Sequence, residues 1–250
     1  MKTAAQAPRI RWVFFDVGGT LFDEEPVLQQ QELLIHELLN KAGCEVSDRE
    51  WASAVRAARR HFVPRHAAHL IWLFTEDLPL YRRIASQYER RMDKLSYTAY
   101  RKLAPPLPGI REMLLELRGS FKLGTICNQP AAVRRKMQDE GFLDLFEVHA
   151  ISAEMDLRKP DLRFYQAALS MAHCQPEECA MVGDRLDNDI FPARALGMTT
   201  VRLKAGPHRH QPVLSPEYLP DYTVSSTADL AELLCSDRLV PQPEGAEIVW

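Results

Sequence analysis

The sequence predicts an α/β fold, a doubly wound and mostly parallel sheet that carries a helical domain inserted after its first strand. Three observations predict it: a short run of β-formers that stops at Asp16, an unbroken helical pattern over residues 24–104, and an alternation of helix and strand patterns from Gly109 onward. Parallel neighbours need crossover connections, so such alternation implies strands covered by helices on both faces.

Residues 11–15, Arg-Trp-Val-Phe-Phe, are too few for a helix and suit a buried pleated surface, so they read as the first strand. Gly18 and Gly19 punctuate its end as a tight turn requires. In the insert, Leu34, Ile35, Leu38, Leu39 and Ala42 follow the spacing of one helix face, with Gly43 as its C-cap. Ser47-Asp48-Arg49-Glu50 is a capping-box signature for a second helix through Trp51, Val55, Ala58 and Phe62. A third helix covers Leu80 to Met92, and Pro105, Pro106 and Pro108 form a stiff connector out of the insert. Trp51, Trp72 and Phe74 read as the core of the insert, and Arg82-Arg83 with Arg90-Arg91 as a solvated helix face.

Beyond Gly109, Ile110, Met113, Leu114 and Leu117 mark a helix, Phe121 to Cys127 a strand, and Pro130 a helix start where its missing N–H is harmless. Strand 147–151 and helix 161–171 follow, then strand 179–183, helix 188–196 stopped by Gly197, strand 199–203 and a last strand at 222–225. The predicted organisation is a discontinuous core of residues 1–23 and 105–235, a helical cap of residues 24–104, and a C-terminal tail of residues 236–250.

Bulk properties narrow the function classes. The 250 residues are 46% hydrophobic and 26% charged, as in an ordinary soluble globular protein. A net charge of −3 gives no electrostatic reason to expect nucleic acid or an anionic membrane as partner. No apolar run approaches the ~20 residues of a membrane span, and Met1 to Ile10 lack a signal peptide's apolar stretch. The five cysteines form no Cys-x-x-Cys pair, which favours neither zinc nor a disulfide framework and fits a reducing cytoplasm. His208-Arg209-His210 reads as a solvated, proline-flanked loop, and His66 with His69 as a surface pair on one helix face.

In open parallel sheets, ligands bind outside the carboxyl ends of the strands. Here those ends carry Asp16, Cys127-Asn128, Arg158-Lys159-Pro160 and Gly183-Asp184, with Asp189 close behind. Three carboxylates gathered in one crevice repel unless a cation sits among them. Hard oxygen ligands, with water and a substrate phosphate completing the shell, suit Mg²⁺.

Asp16-Val17-Gly18-Gly19-Thr20-Leu21, Cys127-Asn128, Lys159-Pro160-Asp161 and Gly183-Asp184-x-x-x-Asn188-Asp189 together resemble the four ordered motifs of the haloacid dehalogenase-like hydrolase superfamily, from about Ile10 to Leu234. The resemblance implies a Rossmann-like core with its cap after the first strand, and phosphoryl hydrolysis of a small phosphorylated metabolite. It implies Asp16 as the nucleophile that becomes an aspartyl-phosphate. Mg²⁺ would be held by Asp16, the Gly18 carbonyl and Asp184, with Asp189 orienting a metal-bound water. Asn128 and the backbone beside Cys127 would donate to phosphoryl oxygens, Lys159 would neutralise developing charge, and Thr20 would help hold the turn.

Two positions depart from the pattern. Phosphatases of this superfamily carry a second Asp two residues after the nucleophile, as general acid and then base, and here that position is Gly18. Such catalysis is worth ~10²–10⁴ in rate. Cys127 replaces the usual Ser or Thr, a weak S–H in place of a hydroxyl donor. Three readings accommodate Gly18: a substrate with a good leaving group, an acid supplied from Asp23, Glu24, Glu25, His66 or His69, or a metal-binding protein with little turnover. Non-phosphatase chemistry is the remaining alternative. Dehalogenases of the superfamily lack the Asp184…Asp189 arrangement, and neither Lys41 nor Lys94 sits in a recognised Schiff-base motif of the phosphonate-cleaving members.

Overall fold

A computed structural model describes residues 10–63, 65–75 and 77–236. The tail predicted for residues 236–250 lies, past Ser236, outside the described residues. The chain divides into two compact units. Among the described residues, the first comprises residues 10–22, 106–205 and 213–236, and the second residues 23–105 together with 206–212.

The first unit is built on a six-stranded sheet: β1 (Trp12–Phe15), β2 (Lys122–Cys127), β3 (Val148–Ile151), β4 (Cys179–Gly183), β5 (Thr199–Leu203) and β6 (Tyr222–Val224). The strands lie in the order β3-β2-β1-β4-β5-β6, and every pairing is parallel. The order reverses between β1 and β4, where connections leave toward opposite sides and open a crevice at the strands' carboxyl ends. β1 therefore lies in the interior of the sheet, which explains its unbroken burial.

Residues of β1 alternate between the faces, as the two-residue strand period requires. Val13 and Phe15 join a core made with Met113, Leu114 and Leu117, with Val133 and Met137, and with Leu230 and Leu234. Trp12 and Phe14 join a separate core with Phe164, Tyr165, Ala168 and Leu169. Gly124 makes room for the Phe14 ring, since a Cβ there would fall 2.5 Å from it.

The second unit holds five helices: α1 (Glu25–Lys41), α2 (Asp48–Arg60), α3 (His66–Thr75), α4 (Leu78–Met92) and α5 (Tyr97–Leu103). Ile35, Leu39, Leu70, Ile71 and Ile84 form its own buried core. The Ser47–Glu50 capping box forms at the start of α2, satisfying two helix-end donors. Trp51 is buried, but Trp72 is 47% exposed, so it lies outside the core to which its size assigns it. Arg82, Arg83, Arg90 and Arg91 are all exposed on α4.

The first unit's helices are α6 (Ile110–Leu117), α7 (Val133–Asp139), α8 (Ser152–Met155), α9 (Leu162–Ala172), α10 (Phe191–Ala195) and α11 (Thr227–Cys235). α7 begins three residues beyond Pro130, because residues 130–132 make a turn first. The helix expected over 188–196 is instead a π-helical turn, Leu186–Ile190, leading into α10. Helices α3 and α5 lie in the stretch expected to be helical but without bounds of their own, and α8 and α11 carry no expectation from the sequence. Residues 206–212, assigned by sequence to the core, belong to the helical unit.

Candidate active site

Asp16 follows β1 directly, and its N–H donates to Val182 O at 2.9 Å, extending the pairing with β4 by one residue. The chain then turns back: Leu21 N and Phe22 N both donate to Val17 O, and Gly19 N donates to Phe22 O at 2.8 Å. Gly18 pairs with Phe22 in an isolated bridge. The turn is thus held by backbone bonds, while the Thr20 hydroxyl is fully buried without a hydrogen-bond partner. Gly19 is required twice over. Its φ is +74°, the left-handed region, and a Cβ there would lie 2.6 Å from Asp184 Oδ2.

Asp184 stands at the end of β4, next to β1 in the sheet. The π-helical turn then brings Asp189 back beside it, with Asp189 Oδ2 accepting from Arg185 N at 2.9 Å. Gly183 leaves space for that return, since a Cβ on it would collide with the Asp189 side chain. Each of Asp16, Asp184 and Asp189 offers an oxygen within 4.8 Å of the others, and all three are buried.

Lys159 arrives from the loop before α9. Its Nζ donates to Asp16 Oδ1 and to Asp189 Oδ1, both at 2.6 Å. Asn128, just past β2, fixes the lysine's backbone: Lys159 N donates to Asn128 Oδ1 at 2.8 Å, and Asn128 Nδ2 donates to Lys159 O at 3.0 Å. In this structure Asn128 therefore clamps the lysine loop. Cys127, the last residue of β2, is fully buried.

The charges do not balance. Lys159 bonds to two of the three buried carboxylates, and the third, Asp184, has no ion pair among the described residues. Burial, followed by the charges of Asp189 and Asp16, pushes the Asp184 carboxyl well above its ordinary range. Burial also raises Asp189, to about 6, against the pull of Lys159. Burial works to lower Lys159, but the carboxylates Asp16 and Asp189 outweigh it and raise the lysine. Asp184 Oδ1 is buried with no hydrogen-bond partner. An orphaned carboxylate oxygen among excess negative charge, in a donor set of hard oxygens only, fits a divalent cation.

The residues considered as alternative acids all belong to the helical unit. Asp23 Oδ1 accepts from Glu25 N at the start of α1, where Glu24 is the N-cap. Glu25 and Glu32 both accept from Arg59, and His66 Nε2 lies 2.7 Å from Glu32 Oε1. His69 is exposed. Lys41 pairs with Glu37, one turn earlier on α1, and Lys94 is exposed.

Three further residues of the first unit feel the acid cluster. Tyr165 is buried with its hydroxyl donating to Asn188 O, and burial, Asp189 and Asp16 raise its pKa. Arg185 and Arg202 are cations within electrostatic reach of Asp184. Tyr165 looks like core in the sequence, and the central position of Arg202 on β5 follows only from strand order. Arg185, directly after Asp184, is the one that a reading of the motif could have found.

A sequence model described as haloacid dehalogenase-like hydrolase matches residues 10–197. The chain is 28% identical over 233 residues to a glyceraldehyde 3-phosphate phosphatase of Methanopyrus kandleri, covering 90% of this chain and 97% of that protein. It is 26% identical over 232 residues to a pyrimidine 5'-nucleotidase of Escherichia coli, covering 90% and 97%. A solved HAD phosphatase of Thermococcus onnurineus superposes with a TM-score of 0.60 at 24% identity, covering 92% of this chain and 100% of that one.

Proposed function

Because the chain belongs to the haloacid dehalogenase-like hydrolases, we propose that it hydrolyses a small phosphorylated metabolite through a covalent intermediate on Asp16. The observation that carries this reading is the convergence of Asp16, Asp184, Asp189 and Lys159 at the carboxyl ends of β1 and β4. Relatives named as a glyceraldehyde 3-phosphate phosphatase and a pyrimidine 5'-nucleotidase support a substrate of this kind.

An Asp16 carboxylate oxygen attacks phosphorus, the bond from phosphorus to the leaving oxygen breaks, and that oxygen departs with the electron pair. Water then attacks the aspartyl-phosphate at phosphorus, releasing inorganic phosphate and restoring the carboxylate. Lys159 holds Asp16 in place and offsets its charge, and Asn128 fixes the lysine loop. Asp16 and Asp184, with the Gly18 carbonyl and Asp189 beside them, would hold Mg²⁺, which when bound supplies charge neutralisation at the transferring group.

Gly18 offers no proton to the leaving oxygen. The chain is therefore best matched to leaving groups stable as anions, those of acyl phosphates and phosphoanhydrides. Five free thiols support a reducing setting, the cytoplasm, and among the described residues no helix is long and apolar enough to cross a membrane.

The test compares hydrolysis of acetyl phosphate and p-nitrophenyl phosphate with Mg²⁺ and with chelator, for the native chain, Asp16→Asn and Gly18→Asp. Gly18 is not among the positive-φ glycines, so its φ does not demand glycine. The expected outcome is turnover of acetyl phosphate that disappears in Asp16→Asn, and a gain of ~10²–10⁴ in monoester rate in Gly18→Asp. Failure of both the native chain and Gly18→Asp to turn over either substrate overturns the reading.

A further inference from the structure

We propose that the helical unit carries a second anion site, a basic cavity that takes a small multiply charged phosphate or carboxylate. The cavity is about 560 Å³ and is lined by Arg56, Arg59, Arg60, Pro207, Arg209 and His210, all within the helical unit. Cavities of ~300–1,000 Å³ suit metabolite-sized ligands.

The arginines are not equivalent. Arg59 is half-buried and neutralised, donating to Glu25 Oε1 at 2.6 Å and to both oxygens of Glu32 at 2.7 and 2.9 Å. Arg209 donates to Gly206 O at 2.7 Å and lies 3.8 Å from Glu25 Oε2. Arg56 and Arg60 stand one turn apart on α2, both exposed, and no carboxylate pairs with either among the described residues. Like charges at this spacing destabilise a helix. Arg56 and Arg60 thus bring to the cavity two guanidinium charges that no carboxylate pairs with among the described residues.

The wall contributed by residues 206–212 is built, not draped. Pro207 and Gln211 are buried, and Gln211 N donates to His208 O at 3.0 Å. A stretch that reads as a solvated loop thus brings Arg209 and His210 to the arginines of α2. Guanidinium forks match phosphate and carboxylate oxygens in pairs, and two unneutralised charges match a dianion. A free metabolite of that charge is the ligand the cavity fits.

The test uses the full chain freed of metal and then of chelator by dialysis, with pyrophosphate as the calorimetric probe. Arg56→Ala/Arg60→Ala is expected to weaken binding by about 10-fold or more per arginine, and Arg56→Lys/Arg60→Lys to recover part of it. Unchanged pyrophosphate affinity in the double alanine variant overturns the site, as does absence of binding to the native chain at low salt. The calorimetry needs no turnover, so failure of the hydrolase reading leaves it decisive.

Discussion

Replacing Lys159 with Met asks whether one buried cation holds the acid cluster together. The side chain of Lys159 is 2% exposed and its Nζ lies 2.6 Å from oxygens of both Asp16 and Asp189. Methionine keeps most of the stem's volume, so what is lost is the charge and its two hydrogen bonds. Removing one partner of a buried ion pair costs about 3–5 kcal/mol, because the remaining charge is left uncompensated. The pH dependence follows from Asp189, whose carboxyl is raised to about 6 in the folded chain. A carboxyl raised on folding binds its proton more tightly when folded, so it favours the fold at low pH and loses that contribution as pH rises through about 6. Without the ammonium its folded pKa climbs further. The deficit of Lys159→Met is therefore largest above neutrality and shrinks in acid. Urea unfolding in EDTA, at about pH 5.5 and about pH 8, measures both quantities. A deficit below about 1 kcal/mol at the higher pH, or one that grows toward acid, refutes the reasoning.

Gly19→Ala should destabilise the chain by at least about 1–2 kcal/mol from its left-handed backbone alone, and should weaken Mg²⁺ dependence because its Cβ would crowd Asp184; denaturation and a metal titration check both. Mg²⁺ at ~100 times its Kd should stabilise the native chain by about 2.7 kcal/mol, and calorimetry of Asp184→Asn should show that shift abolished. Ser47→Ala should cost about 1 kcal/mol by opening the capping box of α2, read as a lower unfolding midpoint with the denaturant slope unchanged.

Much of the fold and the site was legible because local signals agreed with tertiary ones. The strands at 179–183 and 199–203 fall where their apolar runs put them, and each acidic residue of the cluster follows a run of this kind or its turn. Where the reading failed, the signal was not local. α3, His-Ala-Ala-His-Leu-Ile-Trp-Leu-Phe-Thr, is apolar almost all round, so it shows no stripe from which to count a period. α5 spans only seven residues. α11 is the exception, with a local signal in Ser226, whose hydroxyl accepts from Asp229 N. The pairing of Asn128 with the backbone of Lys159 joins residues 31 apart in sequence, and the membership of residues 206–212 in the helical unit is likewise a product of packing alone.

The position of β1 bears on how the chain is made. Its four residues pair with Lys122–Thr125 on one side and Cys179–Val182 on the other, so it leaves the ribosome long before either neighbour. The helical unit, with a core of its own, is complete except for residues 206–212 before either partner has been translated. Such distant pairing makes folding slow. During synthesis Trp12, Phe14 and Phe15 lack the neighbours that later bury them, and a lower growth temperature or added chaperone should therefore raise the yield of folded protein.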